Sequence, residues 1–146
     1  FLKYLLQRKL PQELRVYCCN QLFKIFVTKN ERLFASKLYL TISELKFLKK
    51  NGMHIGAHGN YHIRLEDLNY KQQYKNLKKN IKFLKNINSE VNDWSICYPH
   101  GSYDRNTIKI LKKLNCLFGF TIEKGKALIS IKESLKLKRY DCNDFL

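Results

Sequence analysis

Proline is scarce in this sequence of 146 residues, and long apolar runs are missing from it. The two prolines, Pro11 and Pro99, lie far apart, and no Gly/Ser-rich tract or internal repeat occurs, so the sequence indicates no linker. No apolar run approaches the ~20 residues that cross a bilayer, and we therefore expect no transmembrane segment. A hydrophobic fraction of 45% excludes a disordered chain, and we predict a single domain over residues 1–146.

The five cysteines lack the spacing of a zinc-binding motif. No C-x-x-C pair occurs, and the odd number favours reduced thiols, which mildly favours a reducing compartment. The sequence begins with Phe1 rather than Met, and no signal peptide is visible, so we expect that the beginning was removed or that the sequence is a fragment. Localisation therefore stays unknown, with the cytoplasm slightly favoured.

Acidic residues are also few, because 12 Asp and Glu stand against 28 Lys and Arg and give a net charge of +16. Such a charge fits a basic module that binds nucleic acid or an acidic polymer. The basic residues are mostly lysines spread along predicted helices, however, without an arginine-rich run or a basic patch interleaved with aromatic residues. We therefore interpret them as solvated helix faces and expect no nucleic-acid partner.

Helical and extended patterns alternate along the sequence. Apolar residues at every fourth position after Pro11 predict a helix to about Val27, residues 30–40 are ambiguous, and residues 1–40 form a mostly helical lead-in. From there, helices are predicted at 41–50, 65–87 and 104–114, and strands at 53–58, 94–98, 117–122 and about 135–140. This order is typical of an α/β fold with parallel strands, in which chemistry lies at the carboxyl ends of the strands.

Two of these strand ends carry candidate site residues. His58 and His62 flank a glycine-containing turn, where two imidazoles can converge on a divalent metal. Spacing alone is weak evidence, because His54 also lies four residues before His58, and surface or core histidines are an alternative. At the next strand end, the turn Pro99–Gly101 exposes backbone amides that can donate to an oxyanion, although an ordinary strand-to-helix turn is the better interpretation of this segment by itself.

Together these segments resemble the polysaccharide deacetylase family, also called the NodB-type homology domain. Residues 56–62 resemble its second motif, in which two histidines bind the metal, and residues 98–104 resemble its third motif, Tyr-Pro-x-Gly-x-Tyr-Asn/Asp. Residues 138–145 resemble a late segment of deacetylases associated with surface-glycan synthesis. The resemblance covers residues 41–145, and it implies part of a distorted (β/α)7 barrel whose first strand or strands are missing.

The resemblance implies a hydrolase that removes N- or O-acetyl groups from an acetylated carbohydrate, acting on carbon–nitrogen bonds in the N-acetyl case. It assigns a divalent metal, Zn²⁺ before Co²⁺ or a similar ion, to His58 and His62. Oxyanion or substrate binding is implied for four residues of the third motif: Tyr98, Pro99, His100 and Gly101. Supporting roles are implied for three late residues: Arg139, Asp141 and Asp144.

The sequence departs from the family pattern at three points. It contains no Asp-Asp pair, so the first motif, with the general base and a third metal ligand, is expected upstream of Phe1. Cys97 stands where the family has an arginine, and no histidine follows His100 to act as a general acid. We therefore expect the isolated chain to be weak or inactive. Two alternatives stay open: a catalytically inactive deacetylase-like fragment, or a basic non-enzymatic module. The sequence predicts no oligomeric state.

Overall fold

The chain divides into two compact units, Phe1–Thr41 and Ile42–Leu146. The computed structural model describes residues 1–89 and 91–145. Among these residues, no helix is long and apolar enough to cross a membrane. The single domain over residues 1–146 stays a prediction, and each unit has its own architecture.

The first unit is helical. It consists of α1 (Leu2–Tyr4), which continues as a π-helical segment (Leu5–Lys9), followed by α2 (Gln12–Phe26) and α3 (Glu31–Leu38). Helix α2 confirms the helix predicted to about Val27. Helix α3 occupies the ambiguous stretch, because the Asn30 side chain accepts a hydrogen bond from the amide of Leu33 at 3.0 Å and so caps a new helix.

Helix α4 (Ile42–Lys50) opens the second unit and begins directly after Thr41, as predicted. Gly52 ends this helix with a φ of +85°, a left-handed conformation that suits glycine. The amide of Met53 then donates to the carbonyl of Leu48 at 3.1 Å, which satisfies a carbonyl of the last turn. The helix predicted over residues 41–50 is therefore confirmed.

A parallel sheet of three strands, in the order β1-β2-β3, follows along the second unit. Its strands are β1 (Trp94–Cys97), β2 (Cys116–Lys124) and β3 (Leu137–Arg139). The strand predicted at residues 53–58 contributes one parallel bridge, between Ala57 and Ile96. In this bridge the amide of Ala57 donates to the carbonyl of Ser95 at 2.7 Å, and the amide of Cys97 donates to the carbonyl of Ala57 at 3.0 Å.

The strand pairing confirms the α/β class with parallel strands. Parallel neighbours need a crossover connection, and helices supply it between residues 53–58 and β1 and again between β1 and β2. Three strands and one bridge do not close a barrel, so the incomplete (β/α)7 barrel stays a prediction.

The long helix predicted over residues 65–87 begins later than expected. Leu65–Asp67 form a separate 3₁₀ turn, and the helix proper, α5, spans Tyr70–Asn86. Asn69 sets this start, because its side chain accepts from the amide of Gln72 at 3.0 Å while the Gln72 side chain accepts from the amide of Asn69 at 2.9 Å. This reciprocal capping box provides a stronger start than the apolar periodicity that predicted residue 65.

Helix α6 (Arg105–Lys113) confirms the helix predicted at 104–114, and the Asp104 side chain caps its start by accepting from the amide of Thr107. Helices α5 and α6 pack with β1 in one apolar core, where Trp94 and Ile96 are fully buried. The helical residues buried with them are Leu77, Leu84, Ile110 and Leu111. Because side chains alternate along a strand, Ser95 and Cys97 belong to the other face of β1.

Candidate active site

Three of the four histidines come together at the ends of the paired segments. The rings of His58 and His62 have centroids 4.8 Å apart, and the rings of His62 and His100 have centroids 4.5 Å apart. His58 follows the bridge residue Ala57, and His100 lies three residues after Cys97 at the end of β1. Parallel pairing thus brings the two predicted site segments to the same edge of the sheet.

The ring of His58 is oriented by the backbone of β1. Its Nδ1 lies 2.8 Å from the carbonyl oxygen of Cys97. A carbonyl can only accept, so Nδ1 carries a hydrogen and donates, and in the neutral ring Nε2 then has the free lone pair. Metal-ligating histidines commonly have this arrangement, with one nitrogen fixed by a hydrogen bond and the other facing the ion.

Both turns of the site have left-handed backbone conformations. His62 has a φ of 51° and His100 a φ of 56°, in a region that side chains adopt at a cost of roughly 1–2 kcal/mol. Gly59 has a φ of +73°, and a Cβ there would lie 2.8 Å from Cγ of Pro99. The two turns therefore pack closely, and strain is concentrated where the histidines meet.

The histidine pair fits part of a metal coordination set. His54, which shares the four-residue spacing, is directed elsewhere, because its Nε2 lies 2.8 Å from Oγ of Ser95. Within residues 1–89 and 91–145, no group of three His, Cys, Asp or Glu side chains is arranged to hold a metal ion. The assignment of a metal to His58 and His62 therefore stays a prediction, and it requires further ligands from water or other groups.

A cavity of about 320 Å³ adjoins His58. One wall is the segment from Gly56 to Asn60, and the opposite wall is formed by Asn80, Phe83 and Leu84 of α5. The cavity gives a small group access to the edge of the sheet next to the histidine pair. The sequence did not predict it, because its walls come from segments about 20 residues apart.

The third-motif residues divide between the core and the site. The side chain of Tyr98 is buried, its hydroxyl donates to the carbonyl of Leu135 at 2.6 Å, and burial raises the pKa of Tyr98 well above its usual range. The amide of Gly101 donates to the Tyr98 carbonyl at 2.9 Å, within the turn itself. Pro99 is buried as well, so among these residues it is the ring of His100 that faces the histidine pair.

The three late residues lie at and after the end of β3. Arg139 is the last residue of β3, and its carbonyl accepts from the amide of Gly125 at 3.4 Å. Asp144 pairs with Nζ of Lys124 at 3.0 Å and accepts from the amide of Asp141 at 2.8 Å. These contacts fold the segment after β3 onto β2, and the supporting catalytic roles stay predictions.

Tyr61 and Lys79 form a pair that the sequence did not single out. The Lys79 ammonium donates to the Tyr61 hydroxyl at 3.0 Å and lies 4.8 Å from the ring centroid. This hydrogen bond and the positive charge of Lys79 lower the pKa of Tyr61. Tyr61 and Lys79 are 18 residues apart, and no local sequence pattern indicates that they pair.

Comparison with known proteins places these features in context. A family model described as polysaccharide deacetylase matches residues 24–118. The solved structure of the Streptococcus pyogenes deacetylase PplD in complex with acetate is similar, with 32% sequence identity and a TM-score of 0.61. The match covers 68% of this chain and 43% of that chain, so this chain spans less than half of its length. No curated protein matches the sequence significantly.

Proposed function

Because this chain belongs to the polysaccharide deacetylase family, we propose that it takes part in hydrolysing acetyl groups of a glycan at a metal ion held by His58 and His62. The observation that carries the proposal is the convergence of these two rings, 4.8 Å apart, at the edge of a parallel sheet. The solved deacetylase of similar fold, which has acetate bound, supports the same class of reaction.

Each residue of the site has a defined part in the proposed reaction. The Cys97 carbonyl holds Nδ1–H of His58, so that Nε2 is presented as a ligand. A bound Zn²⁺, or Co²⁺ in its place, supplies a Lewis acid that polarises the acetyl carbonyl and lowers the pKa of water. The backbone amide of His100 donates to the developing oxyanion. Water oxygen bonds to the acetyl carbon, the bond from that carbon to the glycan nitrogen or oxygen breaks, and a proton from the water passes to the glycan, which leaves acetate and a free amine or hydroxyl.

The ring of His100 has a separate role in this proposal. Its centroid lies 4.5 Å from that of His62, and the two rings are inclined at 72°. The ring of His100 therefore packs against one side of the His62 imidazole. We assign the ring of His100 a positioning role, because the ring contacts His62 rather than a reacting atom. The acetylated glycan as substrate and Zn²⁺ or Co²⁺ as the metal are both part of the proposal.

Acetate release from N-acetylglucosamine oligomers, with and without chelator, tests the proposal. We expect weak release by the wild type, which chelator abolishes and zinc restores, and release below detection in His58→Ala, since one of two protein ligands is removed. His54→Ala is the matched control, because His54 has its ring nitrogen at Ser95 and should retain activity. Equal losses in the two variants would contradict a metal site at His58.

An inactive homologue is the second candidate, and one observation favours it. The described residues offer no set of three ligand side chains, and two imidazoles leave much of the coordination to water. Under this reading the protein binds zinc weakly and releases no acetate, while it still binds acetylated oligomers. The chelator experiment separates the two candidates directly.

A further inference from the structure

A small basic cavity lies beside the loop that carries His62. Its volume is about 220 Å³, and it is bounded by the loop around Tyr61, by the apolar side chains of Ile63 and Leu68, and by α5 as far as Lys79. The polar side chains of its lining are Tyr61, Gln72, Lys75, Asn76 and Lys79. Among the described residues that line it, none is acidic, so two ammonium groups act without a neutralising carboxylate in the wall.

The ring of Tyr61 is available to a ligand. Its side chain is 62% exposed, although it belongs to a loop that is otherwise fastened to α5. Lys79 contacts the hydroxyl end of the ring, with Nζ 3.0 Å from the oxygen. An apolar ring face beside charged donors matches a sugar residue, which has C–H groups on one face and polar substituents at its edge.

The wall of this cavity is fixed before any ligand binds. The side-chain oxygen of Asn76 accepts from the backbone amide of Asn60 at 3.0 Å and ties the loop to α5. Asn80 in turn donates to the carbonyl of Asn76 at 2.9 Å. Both asparagines are buried, so the position of Tyr61 relative to the lysines does not depend on exposed contacts alone. Preorganisation of this kind reduces the cost of binding.

We infer that this cavity is a subsite for a glycan residue that carries an anionic group, a carboxylate or a phosphate. Lys75 and Lys79 bind the anion, and the ring of Tyr61 packs against the sugar. The inference rests on the proposed function, because Tyr61 directly precedes His62 and the subsite therefore adjoins the proposed reaction centre. It narrows the substrate class to acetylated glycans with acidic residues.

Binding of three small probes to the chain tests the subsite. The probes are N-acetylglucosamine, which is neutral, N-acetylmuramic acid, which carries a carboxylate, and N-acetylglucosamine 6-phosphate. We expect at least one anionic probe to bind roughly fivefold or more tightly than the neutral one in a calorimetric or NMR titration at low salt. The probe with the larger gain identifies carboxylate or phosphate as the group recognised.

Charge-matched variants separate the subsite from the general basicity of the chain. Lys75→Gln with Lys79→Gln should remove the preference for the anionic probes, so that they bind no more tightly than the neutral probe. Lys46→Gln with Lys50→Gln is the control, because it removes the same charge at the same four-residue spacing from α4. The subsite is overturned if the wild type shows no preference for the anionic probes. It is also overturned if the Lys46 and Lys50 control loses that preference to the same extent.

The same variants distinguish a failure of the subsite from a failure of the proposed function. Acetate release that is equal for neutral and acidic oligomers, and unchanged by the Lys75 and Lys79 substitutions, overturns the subsite while the deacetylase function stands. Anion binding without acetate release from any oligomer overturns both the deacetylase function and the assignment of this cavity as a substrate subsite.

Discussion

At the scale of single residues, the histidine cluster depends on how closely two turns approach each other. Gly59 carries no side chain, and Cγ of Pro99 occupies the space in which its Cβ would lie. His62 and His100 adopt left-handed conformations on either side of this contact. The geometry of the proposed ligands is therefore set by backbone contacts as much as by the imidazoles themselves.

Gly59→Ala should disturb the site more than an equivalent change elsewhere. The new methyl group meets Pro99 at 2.8 Å in addition to the strain of a φ of +73°. Gly52→Ala is the matched control, because its φ is +85° and nothing lies within 4 Å of the added Cβ. Each should lose roughly 1–2 kcal/mol through strain, and Gly59→Ala about 1 kcal/mol or more beyond that.

Thermal or denaturant unfolding of the two glycine variants measures this difference. Zinc affinity, measured on the same samples, should fall in Gly59→Ala and stay near the wild-type value in Gly52→Ala. Equal destabilisation of both variants would indicate that the contact with Pro99 relaxes without cost.

Tyr98→Phe tests whether the third-motif tyrosine is structural. Its hydroxyl is buried and donates to the carbonyl of Leu135 at 2.6 Å, so removing it leaves a buried carbonyl unpaired and should cost about 1–3 kcal/mol. Tyr103→Phe is the control, because its hydroxyl makes only a 3.4 Å contact with the exposed carboxylate of Glu123. Chemical denaturation should show a clear loss for Tyr98→Phe and a change within about 0.5 kcal/mol for the control.

At the scale of elements, a buried polar network joins α5 to the start of α6. Oδ1 of Asp104 accepts from the amide of Thr107 at 2.8 Å and from Nε2 of Gln73 at 3.2 Å. The Thr107 hydroxyl lies 2.7 Å from Oε1 of Gln73. The two helices that cover β1 are therefore fixed to each other by hydrogen bonds as well as by apolar packing.

This network makes part of the stability depend on pH. Desolvation acts to raise the pKa of Asp104, but the hydrogen bonds from Thr107 and Gln73 outweigh it and hold that pKa below 3.8. A lowered folded-state pKa means that the ionised carboxylate contributes stability above about pH 3.8, and that this contribution is lost as pH falls through the folded value.

Two substitutions of Asp104 separate its charge from its cap. Asp104→Asn should keep a capping oxygen and flatten the loss of stability below about pH 3.8, while Asp104→Ala should cost about 1 kcal/mol at neutral pH. Unfolding midpoints measured across this pH range provide the test. If stability falls at low pH in Asp104→Asn as it does in the wild type, other carboxylates are responsible for that loss.

At the scale of the whole molecule, metal binding should appear as stability. Zinc that binds only the folded chain stabilises it by roughly 2.7 kcal/mol at a free concentration about 100 times the Kd, which raises the Tm by roughly 5–10 °C for a chain of this size. The shift should vanish in His58→Ala and persist in His54→Ala. A wild-type Tm that zinc does not move would count against the metal site without reference to activity.

The net charge of +16 sets a second whole-molecule property. Most of the lysines lie on exposed helix faces, so weak binding to any polyanion is expected, and it should fall steeply with salt. The basic-module alternative predicts the same fall for its functional partner and indifference to chelator. This is why the charge-matched control pair on α4 is needed before any anion preference is assigned to the cavity at Tyr61.

The sequence by itself determined the order and type of most elements. Local sequence patterns predicted α2, α4, α6 and all three strands, because such patterns act over a few residues. The predicted start of α5 at residue 65 was wrong, because the Asn69–Gln72 capping box overrides the apolar spacing. The sequence left the structure of residues 30–40 ambiguous, and these residues contain α3. The family resemblance, confirmed by the match over residues 24–118, also came from short motifs.

Only the tertiary structure decided which histidines meet and what orients them. His54, His58 and His62 are equally spaced in sequence, yet the parallel pairing of Ala57 with Ile96 gives His58 the Cys97 carbonyl and His54 the Ser95 hydroxyl. The same holds for Tyr98, whose burial against Leu135 spans 37 residues. Contacts of this range depend on how segments pack in space, and a local pattern carries no record of that packing.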